Sequence, residues 1–139
     1  RRIQYLGEKN GIKVYDDYAN HPTAFAASIS GVKELNPGSR IWAVIEPHTF
    51  SRLQAVLSDL PASLSQANQV IISQIYASRE TDPGDFSGAD IAAATHARYI
   101  PEFAEIVSTL KVETRTGDVI LVMGSGDSYK LSRQILSSL

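Results

Sequence analysis

The chain has 139 residues, 43% hydrophobic and 20% charged, an ordinary globular composition with enough length for one well-buried core. Its net charge of −2 excludes bulk attraction to nucleic acid or anionic membrane as the basis of function. With no cysteine there are no disulfides and no thiolate chemistry, which fits a reducing cytoplasm, and no apolar run reaches the ~18 residues of a bilayer-spanning helix.

Arg2–Gly7 and Gly11–Asp16 read as short strands. Asn10-Gly11 between them is a hairpin signal, because a type I′ turn needs positive φ at both central positions. Pro22 sits where a first helical residue should, and Phe25, Ile29 and Val32 recur at helical spacing until Asn36-Pro37-Gly38 stops the helix. Ile41–Ile45 is a continuous apolar strand. Leu53, Val56, Leu57, Leu60 and Leu64 follow with helical spacing, and Pro61 should kink or split that stretch.

Val70–Ile75 is the next strand, and Arg79–Gly88 the longest polar connection. Ser87 caps a short helix to Thr95, Arg98–Ile100 is a short strand, and Pro101 opens a helix with Phe103, Ile106, Val107 and Leu110 inward. Val119–Met123 is the last strand, and Leu131, Ile135 and Leu139 mark a final helix. Apolar strands alternating with helices predict a Rossmann-like, three-layer α/β domain. Its sheet is mostly parallel, of about six strands with helices on both faces, and is preceded by an N-terminal hairpin. The chain starts at Arg1, not Met, with residues that already look structured, so a single domain cut from a longer protein is expected.

The strand ends carry the chemistry. The hairpin leads into Asp16-Asp17-Tyr18-Ala19-Asn20-His21-Pro22-Thr23, and the second core strand into Glu46-Pro47-His48-Thr49-Phe50-Ser51-Arg52. The third leads into Tyr76-Ala77-Ser78-Arg79-Glu80, and the last into Gly124-Ser125-Gly126-Asp127-Ser128. In a parallel sheet these loops share the edge at which ligands bind. Each has a plainer reading. Asp16 and Asp17 suit a solvated turn, His21 a helix cap, and Tyr76 and Arg79 a packed sheet edge. His96 reads as surface and Trp42 as core. His48 and Arg52 put positive charge at a helix start, unfavourable by ~0.3–1 kcal/mol, and a bound anion would compensate.

Gly124-Ser125-Gly126 lacks the third glycine of a dinucleotide fingerprint, since Tyr129 stands there, and no acidic residue can follow about 20 positions on. No GxxxxGK[ST] loop, HExxH or Cys/His metal spacing is present. The chain should therefore hold neither a nucleoside triphosphate alone nor a metal.

Together these loops resemble the carboxy-terminal domain of the Mur ligases. Arg1-Arg2-Ile3 is similar to the family's double-arginine start, and Asp16–Thr23 to DDYAHHPT. EPHTFSR (46–52) is similar to QPH-x-[YF]-[ST]-R, while IYASRE (75–80) and VMGSGD (122–127) resemble IYAARE and the GAGD end. The likeness spans essentially the whole chain in the right order. It is strongest to members that join L-alanine to UDP-N-acetylmuramate through an acyl phosphate, in peptidoglycan precursor synthesis in the bacterial cytoplasm.

The resemblance implies that residues 1–139 are the third domain of a three-domain enzyme, inactive when isolated. ATP and Mg2+ would be held mainly by the central ATPase domain, in cis. Arg2, Asp17 and Tyr18 would contact the nucleotide, Asp17 through the ribose hydroxyls. His21 and His48 would be catalytic, and Tyr18, Asn20, His48, Arg52, Gly124 and Asp127 would bind substrate. Arg52 suits a carboxylate as a planar fork. The chain departs from the family pattern at three positions. Asn20 replaces a histidine and cannot titrate near pH 7, Glu46 replaces glutamine, and Thr49 stands where some members carry arginine. Glutamate before Pro47 is also similar to the ligase that recycles murein tripeptide. A non-catalytic Rossmann-like nucleotide-binding module is the remaining alternative.

Overall fold

A computed structural model describes residues 3–139. The hairpin forms as the sequence predicts. β1 (Gln4–Lys9) pairs antiparallel with β2 (Ile12–Asp17), and Asn10 and Gly11 take φ of 55° and 76°. The hairpin does not merely precede the sheet. Its second strand joins it, in the order β1-β2-β6-β3-β4-β5, where β3 is Ile41–Ile45, β4 Gln69–Ile72, β5 Arg98–Tyr99 and β6 Val119–Met123. All pairings beyond the hairpin are parallel. β4 is shorter than the apolar run suggests, because after Ile72 the chain leaves the ladder.

The helices are α1 (Pro22–Leu35), α2 (Phe50–Ala55), α3 (Leu60–Leu64), α4 (Gly88–Thr95), α5 (Phe103–Glu113) and α6 (Ser128–Ser138). Pro61 splits the predicted helix. A 3-10 turn, Leu57–Asp59, separates α2 from α3, and Pro61 falls in the first turn of α3, where no N–H is needed. Pro101 lies two residues before α5, and its carbonyl accepts from the Gln74 amide. Ser87 and Asp90 form the capping box of α4.

Strand alternation divides the core in two. Ala43, Ile45, Leu121 and Met123 pack with Phe25, Ile29, Leu60 and Ile91 from α1, α3 and α4. Trp42, Val44, Ile120 and Val122 pack with Ile106, Leu110, Leu131 and Ile135 from α5 and α6. The amino end of the sheet is tied at Asp118, which accepts from Arg40 (2.7 Å), Trp42 Nε1 (3.0 Å) and the Arg115 amide (2.9 Å). Burial alone would raise this carboxyl, but those bonds and the Arg40 charge outweigh it and hold it below the usual range.

The register sets up the site. Asp17, Met123, Ile45, Ile72 and Tyr99 lie in one row across the five parallel strands, so the loops that follow leave from one edge. β3 feeds α2 on one face and neighbouring β6 feeds α6 on the other. That reversal opens a crevice between β3 and β6, the usual ligand position in open α/β sheets.

Candidate functional site

The centre of this edge is the turn after β3. Glu46 continues the ladder through its amide to Met123 O (2.9 Å), then Pro47 and His48 cross toward the loop after β4. There the Tyr76 amide donates to Pro47 O (2.8 Å) and the Thr49 amide to Tyr76 O (2.9 Å), making an isolated parallel bridge between His48 and Tyr76. These bonds hold Thr49 at φ 64°, a left-handed conformation that costs a β-branched residue ~1–3 kcal/mol. Strain of this kind gathers where a turn is fixed for function. It carries His48, whose ring stacks on Tyr76 with centroids 5.4 Å apart. One His48 nitrogen, Nδ1, is buried without a hydrogen-bond partner. Burial, then the Arg52 charge, push the imidazole below its ordinary value, and Glu80 only partly opposes them.

Glu80 is the residue that sequence reasoning missed. Its carboxylate accepts from the amides of Phe50 (2.6 Å) and Ser51 (3.2 Å) and from the Ser51 hydroxyl. Those bonds hold it below the usual carboxylate range. The anion expected at the start of α2 is thus supplied by the chain itself. Glu46 fills the start of α6 as a hydrogen-bond acceptor. Its Oε1 accepts from the Ser128 amide at 2.9 Å, across the β3–β6 crevice. The chain's own carboxyl groups therefore occupy both helix starts. Nothing local in the sequence announces either contact, because the partners lie 30 and 82 residues apart.

The glycine turn closes the crevice. A Cβ on Gly126 would meet the Tyr76 ring at 2.6–2.8 Å, and one on Gly124 would meet Ser128 Oγ at 2.7 Å. Asn20 Nδ2 donates to Ser125 Oγ (3.1 Å), and the Gly124 amide donates to Asp17 O (3.1 Å). The loops after β2 and β6 thus meet directly, as do those after β3 and β4. Tyr18 is 68% exposed beside them, and Arg52 is exposed on α2.

Two expected residues stand differently. Asp17 is not at a solvated turn: it is 1% exposed, with one oxygen accepting from the Ala19 amide (2.9 Å) and the other from the Ser28 hydroxyl. In this arrangement its carboxylate shapes the turn from inside and presents no surface to a ribose. His21 caps α1, its Nδ1 accepting from the Ala24 amide at 3.4 Å. It lines a shallow groove with Ala26 on α1 and Asp59 and Ala62 near α3, apart from the cleft that Glu46, Tyr76 and Asp127 line. Arg2 lies outside the described residues. Among the described residues, no three His, Cys, Asp or Glu side chains stand together in a way that could hold a metal ion.

Residues 1–126 match the family model described as "Mur ligase, glutamate ligase domain". A UDP-N-acetylmuramate–L-alanine ligase of Alkaliphilus metalliredigens is 41% identical over 141 aligned positions, covering 99% of this chain and 30% of that protein. The chain thus spans about a third of the length of the curated relatives it matches. Among solved structures, one domain assigned to a UDP-N-acetylmuramate:L-alanyl-γ-D-glutamyl-meso-diaminopimelate ligase of Haemophilus ducreyi superposes with a TM-score of 0.74 at 27% identity. It covers 99% of this chain and 98% of that one. The UDP-N-acetylmuramate–alanine ligase of Thermotoga maritima gives 0.75 at 21% identity, over 97% of this chain and 28% of that one.

Proposed function

Because this chain belongs to the Mur ligase family, as its carboxy-terminal domain, we propose that it is the amino-acid-receiving part of a larger L-alanine-adding ligase. The parent enzyme would join L-alanine to UDP-N-acetylmuramate in the bacterial cytoplasm, with ATP and Mg2+ held mainly by a central domain in cis. The observation that carries this reading is the filling of both helix starts at the site edge, by Glu80 at α2 and Glu46 at α6. An open helix start is a ready anion cradle. Here both are satisfied from within, so phosphate must be gripped elsewhere, and what this edge offers is His48, Arg52, Tyr18 and Asn20.

Those groups suit the acceptor half of an acid–amine ligation. When bound, the nucleotide and metal of the parent enzyme activate the muramoyl carboxylate as an acyl phosphate. On this chain, the Arg52 guanidinium pairs with the carboxylate of the incoming amino acid and fixes its orientation. An amino acid at neutral pH carries an ammonium group, which must lose a proton before its nitrogen can attack. His48, kept neutral by burial and by Arg52, accepts that proton. Tyr76 and the strained Thr49 hold the imidazole in place. Asn20 ties the β2 loop to Ser125 and so sets the near wall of the site, with Tyr18 on its exposed rim. Gly124 and Asp127 form the far wall. Asp17 and His21 contribute by building the turn and the α1 start.

The deciding experiment is substitution in the complete enzyme. Arg52→Ala should raise KM for L-alanine at least tenfold with KM for ATP within twofold of wild type. An equal rise in both would refute the assignment. A second acceptor, a preformed peptide, is favoured by the 27% identity to the Haemophilus ducreyi domain. Turnover with murein tripeptide but not with L-alanine would establish it.

A further inference from the structure

Glu46 does more than fill space at the crevice. It is a carboxyl group only 5% exposed, placed between the turn that carries His48 and the first residue of α6. It has no cationic partner within ion-pair distance among the described residues. The groups that line its cleft are acidic or neutral, and the nearby cation on α6, Lys130, pairs with Asp127 at 3.5 Å. Asp127 stands at the α6 start, Glu102 at the α5 start and Tyr76 on the β4 loop, all lining one cleft of about 420 Å3 that Glu46 also reaches. His48 is two residues further along the same turn, and Asp16 approaches α6 from β2 beside Ser132. The open cleft gives solvent protons a path to the carboxyl.

We propose that Glu46 is a positioning residue, a clamp that fastens the His48 turn to the start of α6 when neutral and releases it when ionised. The geometry requires one acceptor oxygen for the Ser128 amide, which a neutral carboxyl supplies as well as a carboxamide would. Ionising it adds a charge that burial penalises and that Asp127 repels, against which the amides of Ser128 and Asp127 recover only part. The carboxyl accordingly sits at about 7 instead of 4.5. By linkage, a proton bound more tightly in the closed arrangement than in water must favour closure. Raising the pH from below 4.5 to well above 7 therefore shifts the clamp toward opening, by up to ~300-fold for a difference of this size. Glutamine at this position would make the same bond without the proton dependence.

The clamp stands on the fold alone; its effect on turnover rests on the ligase reading. Nuclear magnetic resonance on the 139-residue chain and its Glu46→Gln variant separates the two. The Glu46 carboxyl carbon should titrate near pH 7. Exchange protection of the Ser128 amide, corrected for intrinsic chemistry, should fall in wild type by tens- to hundreds-fold between pH 4.5 and about 7 and stay level in Glu46→Gln. The His48 ring carbons should show a second inflection near the Glu46 midpoint in wild type alone. A Glu46 midpoint below about 5.5, or the same pH dependence of Ser128 in both proteins, would overturn the clamp whether or not the parent enzyme ligates L-alanine.

Discussion

Glu46→Gln should make the chain more stable at alkaline pH, and the size follows from the burial of one charge. The folded-state carboxyl lies near 7 and the unfolded one near 4.5. Between those values the native state binds more protons than the unfolded state, so stability falls as pH rises across that window and is level above it. At about 1.4 kcal/mol per unit, the full loss is ~3 kcal/mol. The glutamine variant would keep the bond to the Ser128 amide and carry no charge, so it avoids that loss. Urea unfolding of both proteins from about pH 4.5 to about pH 8.5 measures it. The two curves of stability against pH should lie close together below about pH 5 and diverge to ~3 kcal/mol by about pH 8. Asp16, also raised by burial against its Ser132 bond, bends both curves equally and cancels in the difference. Parallel curves, or a variant less stable at alkaline pH, would show that Glu46 binds its proton no more tightly in the native protein than in the unfolded chain, and would refute the prediction.

Other outcomes are as definite. Gly126→Ala should cost ~1–3 kcal/mol by overpacking against Tyr76, and should displace the His48 ring resonances that the stack fixes; unchanged resonances would count against the wall that Tyr76 forms. Asp118→Ala should cost ~3 kcal/mol in chemical denaturation, because Trp42 Nε1 and the Arg115 amide lose their buried acceptor together with the Arg40 pair. Since Asp118 is depressed, wild type should lose that stabilisation as pH falls through the acid range, and Asp118→Ala should not. The His48 imidazole should titrate below the ordinary histidine value. Arg52→Ala should raise that midpoint and Glu80→Gln lower it, by carbon-detected titration.

The architecture was legible in the residues. Asn10-Gly11 favours a tight hairpin turn, Pro22 marks a helix start and Pro61 a break in the second helical stretch, and the apolar strands separated by amphipathic helices leave a covered, mostly parallel sheet as the consistent solution. The motifs at the strand ends also identified the family and lie on one edge of the sheet, because that edge follows from chain direction alone. What the sequence could not decide is which polar groups on that edge are spent inside it. Asp17 read as an exposed ligand and folds inward onto Ser28; His21 read as catalytic and caps a helix on a neighbouring groove. Glu46 and Glu80 read as loop charges and are the acceptors that complete α6 and α2. Secondary structure is set by neighbours a few residues apart, whose periodicity is written in the chain. Whether a carboxylate faces solvent or a helix start depends on partners tens of residues away, and only the registered sheet brings those together.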